Sequence, residues 1–267
     1  MALDEIFLRR AQRDNLPPVL RVYSWIEPSV SIGYNQKAER ELDLELCRKL
    51  GVRVVRRPTG GRSVYHAREL TYSVAGPGNT EWLGRTTGES CRLIARGILR
   101  SLALLGVEPD LARNPVKQGR NSSPKLANPC FTSVSRYEIS CNGRKLVGSA
   151  QRRLSGGRAL LQQGSLLLHN TQGRLVELMT GSRSAEERSR LAEDIEQQAA
   201  GLAEILGRPV DFAEAADAFR RGFGEAFGCS LVPGEPTDEE TELARRLEEE
   251  RYNSRMWLLG KKKEPYK

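Results

Sequence analysis

Short β-rich runs and longer segments with helical spacing are mixed along the chain, and the strands occur in groups. This pattern is typical of a mixed α/β domain and not of a regular alternation of strands and helices. Strands are predicted at residues 20–25, 29–34, 52–57, 63–66, 69–76, 137–141, 145–153 and 158–169. Helices are predicted at residues 2–13, 38–51, 88–107, 184–206 and 212–228, and a short acidic helix follows Thr237.

The second group of strands contains the clearest local signal. Asn142-Gly143 has the composition of a two-residue turn, so the strands at 137–141 and 145–153 should pair as a hairpin. The run at 158–169 is predicted as the third strand of that sheet. Residues 112–129, which are polar and contain three prolines, predict a long loop before the hairpin. Loops of this length in a compact domain are usually functional or mobile.

No linker or internal repeat divides the chain into autonomous parts. We therefore predict one main domain over residues 1–232. Residues 233–267 are predicted to be a helical segment with a basic tail, packed on the same domain.

Composition narrows the class of protein. A hydrophobic fraction of 39% and a charged fraction of 28% are typical of a globular protein in water. No apolar run approaches the roughly 20 residues that span a bilayer, and no signal peptide begins the chain, so we expect a cytoplasmic protein without a membrane segment. The net charge of +8 suits nucleic acid or an acidic protein partner. Nucleic acid is not expected, because no module signature for it is present.

The cysteines and histidines form no pattern of a disulfide framework or a metal site. Five cysteines without a CxxC pair and two histidines predict no bound metal. A cysteine is by default a small buried apolar residue. Cys130 differs, because it ends the long polar loop between Pro129 and Phe131. A loop cysteine near cationic groups is a candidate thiolate nucleophile.

The stretch RRPTGGRSVYH, residues 56–66, places two glycines and three arginines between two strands. A strand follows it, so it is neither a P-loop nor a dinucleotide-binding turn, both of which lead into a helix. From the residues alone it is either a tight turn with solvated arginines or a place where the backbone approaches a ligand closely. Lys145, just after the hairpin turn, points either to solvent or inward towards a developing oxyanion.

Several segments together resemble the lipoate–protein ligase and octanoyltransferase superfamily, which shares its fold with biotin–protein ligases. RRPTGGRSVYHARELTYSV looks like the first signature of that superfamily, and NGRKLVGSAQRR followed by QQGSLLLH looks like the second. LRVYSWIEPSVSIGYNQ resembles its N-terminal strand pair, and YNSRMW at 252–257 resembles its C-terminal segment. PCFTSVSRYEI is similar to the cysteine-dependent octanoyltransferases, whereas the ATP-dependent ligases typically carry Gly-Arg-Asn-Asp there.

The resemblance implies a catalytic domain of the biotin/lipoate protein ligase type, with largely antiparallel sheets flanked by helices. It places the nucleophile at Cys130 and a second catalytic group at Lys145. The turn at residues 58–62, PTGGR, is called the glycine turn below. The resemblance also implies that this turn lines a tunnel for a fatty acyl chain, in which each buried methylene contributes about 0.8 kcal/mol. Val64, Tyr65 and Tyr72 would form the apolar wall. The arginines would face an acidic partner protein or, in a ligase, the phosphates of an acyl-adenylate. The implied substrate-binding residues are Arg56, Arg57, Thr59, Gly60, Gly61, Arg62, Val64, Tyr65, His66, Tyr72, Gly148, Ser149, Ala150, Gln163 and Gly164.

The resemblance therefore predicts an octanoyltransferase of lipoate biosynthesis. The octanoyl group would pass from acyl carrier protein to a cysteine thioester, and then to a lysine of a lipoyl domain or of the glycine-cleavage H protein. This chemistry needs neither metal nor ATP. One alternative is an ATP-dependent lipoate–protein ligase, for which ATP and Mg²⁺ would be cofactors. Another is a non-catalytic module that binds acyl carrier protein or nucleic acid.

Overall fold

The computed structural model describes residues 1–14, 17–111, 138–181 and 184–261. The predicted loop over 112–129, Cys130 and the chain beyond Lys261 lie outside the described residues. The helices are α1 (Ala2–Asp14), α2 (Ala38–Glu41), α3 (Leu44–Lys49), α4 (Thr87–Leu104), α5 (Ala185–Gln198), α6 (Leu202–Leu206), α7 (Phe212–Phe227), α8 (Asp238–Leu247) and α9 (Arg255–Leu258). The strands are β1 (Val19–Tyr23), β2 (Ser29–Ile32), β3 (Arg53–Arg56), β4 (Val64–His66), β5 (Glu69–Pro77), β6 (Asp110–Leu111), β7 (Ile139–Cys141), β8 (Arg144–Arg153) and β9 (Ala159–Leu167).

The strands form two sheets, and the predicted mixed class with largely antiparallel sheets is confirmed. The larger sheet has the order β1-β5-β9-β8-β7-β6, and each neighbouring pair in it is antiparallel. The smaller sheet has the order β3-β2-β4, with β2 parallel to β3 and antiparallel to β4. The glycine turn joins β3 to β4 in the smaller sheet, whereas Lys145 lies on β8 of the larger sheet.

Helices α4 and α7 pack together against the larger sheet and close its core. Ile94 and Ile98 of α4 and Phe219 and Phe223 of α7 are buried there with Tyr72 of β5. The rings of Tyr72 and Phe219 lie 5.7 Å apart. The apolar stripes of these two helices therefore form core packing. A second core lies at the smaller sheet.

The hairpin predicted around Asn142-Gly143 is present as β7 and β8. Asn142 has a φ of 51° and Gly143 a φ of 73°, the left-handed backbone that a two-residue hairpin turn requires. Strand β9 pairs with β8, as predicted for the third strand. The two signature segments NGRKLVGSAQRR and QQGSLLLH therefore lie side by side in the larger sheet.

The helix predicted over 38–51 is broken into α2 and α3 by a contact with a distant segment. Leu42 has extended backbone and forms a bridge with Met179, and the amide of Asp43 donates to the carbonyl of Leu178 at 2.8 Å. The Asp43 side chain then caps α3. Tertiary pairing overrides the continuous helical spacing here.

The helix predicted over 184–206 is also broken, and this break matters for the site. Ala199 is extended, with a φ of −114° and a ψ of 157°, and it pairs with Lys145 of β8. The amide of Ala200 donates to the carbonyl of Lys145 at 3.0 Å. The interruption between α5 and α6 thus lays a short extended segment beside the predicted catalytic lysine.

Candidate active site

The glycine turn between β3 and β4 is held from inside by Arg57. The guanidinium group donates to the carbonyl oxygens of Gly60 and Arg62, both at 2.7 Å, and to the carbonyl and hydroxyl oxygens of Ser31. Gly61 has a φ of 89°, in the left-handed region that favours glycine. Arg57 is only 5% exposed, so the expectation that it faces a partner protein is wrong.

The turn lies over strand β8 and against the end of β2. A Cβ atom on Gly61 would lie 3.6 Å from Cβ of Ala150, and one on Gly33 would lie 1.9 Å from the carbonyl oxygen of Gly61. Arg152 of β8 donates to a carbonyl oxygen of the turn at 3.0 Å. A Cβ atom on Gly60 would meet no atom within 4 Å. The turn and β8 are therefore neighbours across the junction of the two sheets, with open space at Gly60.

Arg56 also points into the protein. It is 2% exposed, and its guanidinium group donates to the backbone carbonyl oxygens of Gly33, Tyr34, Trp257 and Leu258. The expectation that this arginine faces an acidic partner is also wrong, because carbonyl groups of its own chain enclose the charge. The third arginine of the stretch, at position 62, is partly exposed.

His66 belongs to a chain of buried polar groups beneath the turn. Its Nδ1 lies 2.7 Å from Oε1 of Glu69, and its Nε2 lies 2.7 Å from the hydroxyl of Ser31, which accepts from Arg57. The ring stacks on Trp25 with a centroid distance of 4.2 Å. Both ring nitrogens have partners inside the protein, so the geometry gives His66 a supporting role instead of the implied contact with substrate.

Thr59 and Gln163 connect the turn to the first helix. The hydroxyl of Thr59 donates to Oε1 of Gln163 at 2.9 Å, and Nε2 of Gln163 donates to a carboxylate oxygen of Asp4 at 2.7 Å. Asp4 is fully buried, and no motif of the sequence predicts it as a site residue. The available signal is its position on the apolar face of α1, four and seven residues before Leu8 and Ala11.

Lys145 is buried, with 1% exposure, so its inward orientation is confirmed and the solvent-facing alternative is wrong. Its ammonium group lies 2.6 Å from Oε1 of Glu138, whose side chain is 8% exposed. A buried ammonium is stabilised when an opposite charge lies beside it, and Glu138 supplies that charge. Glu138 stands directly before β7, at the end of the segment PCFTSVSRYEI, and the sequence predicts no role for it. The contact predicted between Lys145 and Cys130 lies outside the described residues.

A small apolar cluster connects the glycine turn with Lys145. Val64, Leu167 and Ala199 are buried and pack together, apart from the larger cores. Val64 begins the strand that follows the turn, and Ala199 pairs with the backbone of Lys145. We call this cluster the apolar bridge, and Val64 is buried within it beside the turn.

The two tyrosines predicted for that wall lie elsewhere. Tyr65 packs into the core of the smaller sheet. Tyr72 has 0% exposure, and its hydroxyl lies 2.7 Å from that of Ser149 on β8. Because the Tyr72 side chain has no exposed surface, it does not border an open cavity. It supports β8 instead of lining the predicted tunnel. A Cβ atom on Gly164 would lie 2.4 Å from the Tyr72 ring, so glycine allows the tyrosine to cross β9.

The remaining predicted binding residues follow Lys145 on β8. Gly148 is buried, and Ser149 and Ala150 are partly exposed. In the sheet register Gly148 lies opposite Ser165, and Ala150 lies opposite Gln163. The second signature therefore forms the strand pair beneath the turn. Its predicted binding residues on β8 lie three to five positions after Lys145.

Within the described ranges, no group of three or more His, Cys, Asp or Glu side chains is arranged to hold a metal ion. Nor does any helix of those ranges combine the length and apolar character that a membrane span requires.

Comparison with known protein families identifies the family of this chain. Residues 1–224 match the family model of the lipoyl protein ligase A/B catalytic domain. The chain belongs to this family. The superfamily predicted from the signature segments is therefore confirmed.

Within this family, the chain is similar to proteins named octanoyltransferase LipM. The chain is 40% identical to octanoyltransferase LipM of Carboxydothermus hydrogenoformans, over 97% of this chain and 93% of the relative. It is 41% identical to octanoyltransferase LipM of Symbiobacterium thermophilum, over 98% of this chain and 93% of the relative. Both alignments include the C-terminal helices as well as the family domain.

Solved structures agree with the fold. A bipartite lipoate protein ligase from Thermoplasma acidophilum, studied with its E2 lipoyl domain, has a TM-score of 0.77 at 25% identity and covers 98% of this chain and 91% of its own. A lipoate-protein ligase A bound with ATP has a TM-score of 0.75 at 25% identity, with 97% and 92% covered. The predicted lipoate ligase type of fold is confirmed.

Proposed function

We propose that this chain moves an octanoyl group from a thioester on acyl carrier protein, through a thioester on Cys130, to a lysine amine of a lipoyl domain or of the glycine-cleavage H protein. Octanoyltransferase is the name of relatives that are 35% to 41% identical to this chain. In the structure, the observation that supports the proposal best is the buried Lys145–Glu138 pair at the end of the apolar bridge.

The proposed reaction has two acyl-transfer steps. The thiolate of Cys130 attacks the thioester carbonyl, the bond to the carrier sulfur breaks, and the carrier leaves as a thiolate. The acceptor amine then attacks the acyl-enzyme, the bond to the Cys130 sulfur breaks, and the amine loses its proton as the amide forms. Each step passes through a tetrahedral oxyanion, which the ammonium of Lys145 would stabilise by donating a hydrogen bond. Because a thioester is already activated, no ATP enters this scheme.

Two features support the choice of partners. The net charge of +8 suits acidic carrier proteins, which it would attract over a distance. A lipoyl domain as acceptor is supported by the solved ligase that was studied with its E2 lipoyl domain. Acyl carrier protein as donor rests on the chemistry of the nucleophile, since a cysteine without ATP needs an acyl group that arrives activated.

Intact-mass spectrometry after incubation with octanoyl-acyl carrier protein tests the proposal directly. Without ATP, the protein should gain one octanoyl group, and the group should move to an added lipoyl domain. The parallel sample contains free octanoate or lipoate with ATP and Mg²⁺. Lipoyl-domain modification only in that second sample would make the chain a ligase and refute the transferase scheme.

The two turn glycines give a second prediction. Gly60→Val should fold normally and lose about 10²-fold in acyl transfer, because its side chain fills the open space at the turn and shifts the substrate. Gly61→Val should instead lose about 1–3 kcal/mol of stability, because valine would adopt a φ of 89° beside Arg57. Thermal unfolding and single-turnover transfer separate these effects. Equal losses of stability and activity in Gly60→Val would favour an ordinary turn.

A further inference from the structure

The family match ends at residue 224, yet the chain continues into a segment that reaches the back of the glycine turn. We call α8, the π-helical turn Glu248–Tyr252 and α9 the C-terminal strap. Leu247 and Trp257 of the strap are buried with Ile6 of α1, and Tyr34 and Val55 pack against that cluster. The strap therefore covers both the first helix and strand β3.

Arg56 joins the strap to the segment behind the turn. Its Nε donates to the carbonyl of Trp257 at 2.9 Å, and its Nη2 donates to the carbonyl of Leu258 at 2.7 Å. Its Nη1 donates to the backbone carbonyl oxygens of Gly33, at 3.1 Å, and of Tyr34, at 2.5 Å. In return, the indole of Trp257 donates to the carbonyl of Arg56 at 3.0 Å. One buried cation thus holds carbonyl groups of two segments that are more than 200 residues apart in the sequence.

The segment that Arg56 holds is the support of the turn. Gly33 contacts the turn so closely that a Cβ atom would overlap the carbonyl oxygen of Gly61. The amide of Tyr34 donates to the carbonyl of Thr59 at 2.9 Å. The Tyr34 ring lies 6.0 Å from the ring of Trp257 and also packs against a guanidinium group of β8. A displacement of α9 would therefore be transmitted to the turn through these contacts.

We infer that the C-terminal strap sets the position of the glycine turn, and that Arg56 and Trp257 are positioning residues for acyl transfer. The kinetic part of this inference rests on the proposed function, and its structural part rests on the contacts alone. Arg56 lies in the first signature, where the resemblance implies substrate binding, but its contacts assign it to the turn's support. The neighbouring Met256 is 51% exposed and supplies a matched control on the same short helix.

Hydrogen exchange measured by mass spectrometry tests the structural part without any substrate. In Trp257→Ala, amides over residues 56–66 should exchange about tenfold faster than in wild type, because a loss of local stability converts directly into exchange rate. Peptides of β5 and α4 should keep wild-type rates, and Met256→Ala should match wild type throughout. Faster exchange in all peptides of Trp257→Ala would mean a general loss of stability and would overturn the inference.

Kinetics test the functional part on the same proteins. Trp257→Phe, which keeps an aromatic ring but removes the indole donor, and Arg56→Lys, which keeps the charge but not the fork of donors, should each raise the KM for octanoyl-carrier protein by about tenfold. The iodoacetamide reactivity of Cys130 should stay unchanged, because the strap acts on the turn. Unchanged KM values with altered exchange over 56–66 would refute the positioning role, whereas failure of the wild type to form an acyl-enzyme would refute the proposed function itself.

Discussion

The Cys130→Ala variant is expected to form no acyl-enzyme and to lose octanoyl transfer completely. The reason is chemical: the scheme routes the acyl group through one sulfur, and alanine offers no nucleophile at that position. After incubation of the wild-type protein with octanoyl-acyl carrier protein, peptide mapping should find a hydroxylamine-labile acyl group on the peptide that contains Cys130. The same peptide of the variant should be unmodified.

The other cysteines explain why no substitute is expected. Burial raises the pKa of the Cys47 thiol to about 11 and also raises the pKa of Cys91 and of Cys141 above their ordinary value. A raised thiol pKa means a smaller fraction of thiolate at neutral pH, so these three react slowly. Cys229 is exposed, and Cys229→Ala is the matched control, with full transfer expected. Normal turnover by Cys130→Ala, or an acyl group on Cys91 or Cys141, would contradict the assignment.

The turn and the hairpin of the site are predictable from the sequence because their signals are local. Gly61 needs a left-handed φ, and Asn142-Gly143 specifies a two-residue turn, whatever surrounds them. Once the hairpin is placed, the order of the two signature segments in the larger sheet follows. The family resemblance adds the role of Lys145, which the residue pattern leaves open.

The direction of the charged side chains is not predictable in the same way. Arg56 and Arg57 are adjacent and chemically identical, yet one holds the C-terminal strap and the other holds the turn. The sequence predicts no role for Glu138, and it gains one only because the register of β7 and β8 brings it to Lys145. Likewise, the helical spacing over 184–206 continues through Ala199, and only the pairing of that residue with β8 breaks the helix.

Replacement of Lys145 by methionine is expected to affect rate and stability together. Single-turnover transfer should fall by about 10²–10³-fold, because the oxyanion loses its charged donor. The free energy of unfolding should fall by about 3–5 kcal/mol, because the Glu138 carboxylate stays buried without this ammonium. Lys145→Arg keeps the charge but changes the donor geometry, so it should recover most of the stability and little of the transfer. Stopped-flow transfer assays and denaturant unfolding measure the two quantities on each variant.

The double variant Lys145→Met/Glu138→Leu separates a catalytic role of the pair from a structural one. Removal of both charges should return stability close to the wild-type value, since apolar replacement of a buried ion pair is often neutral, while transfer stays as low as in Lys145→Met. Recovery of transfer together with stability would make the lysine structural.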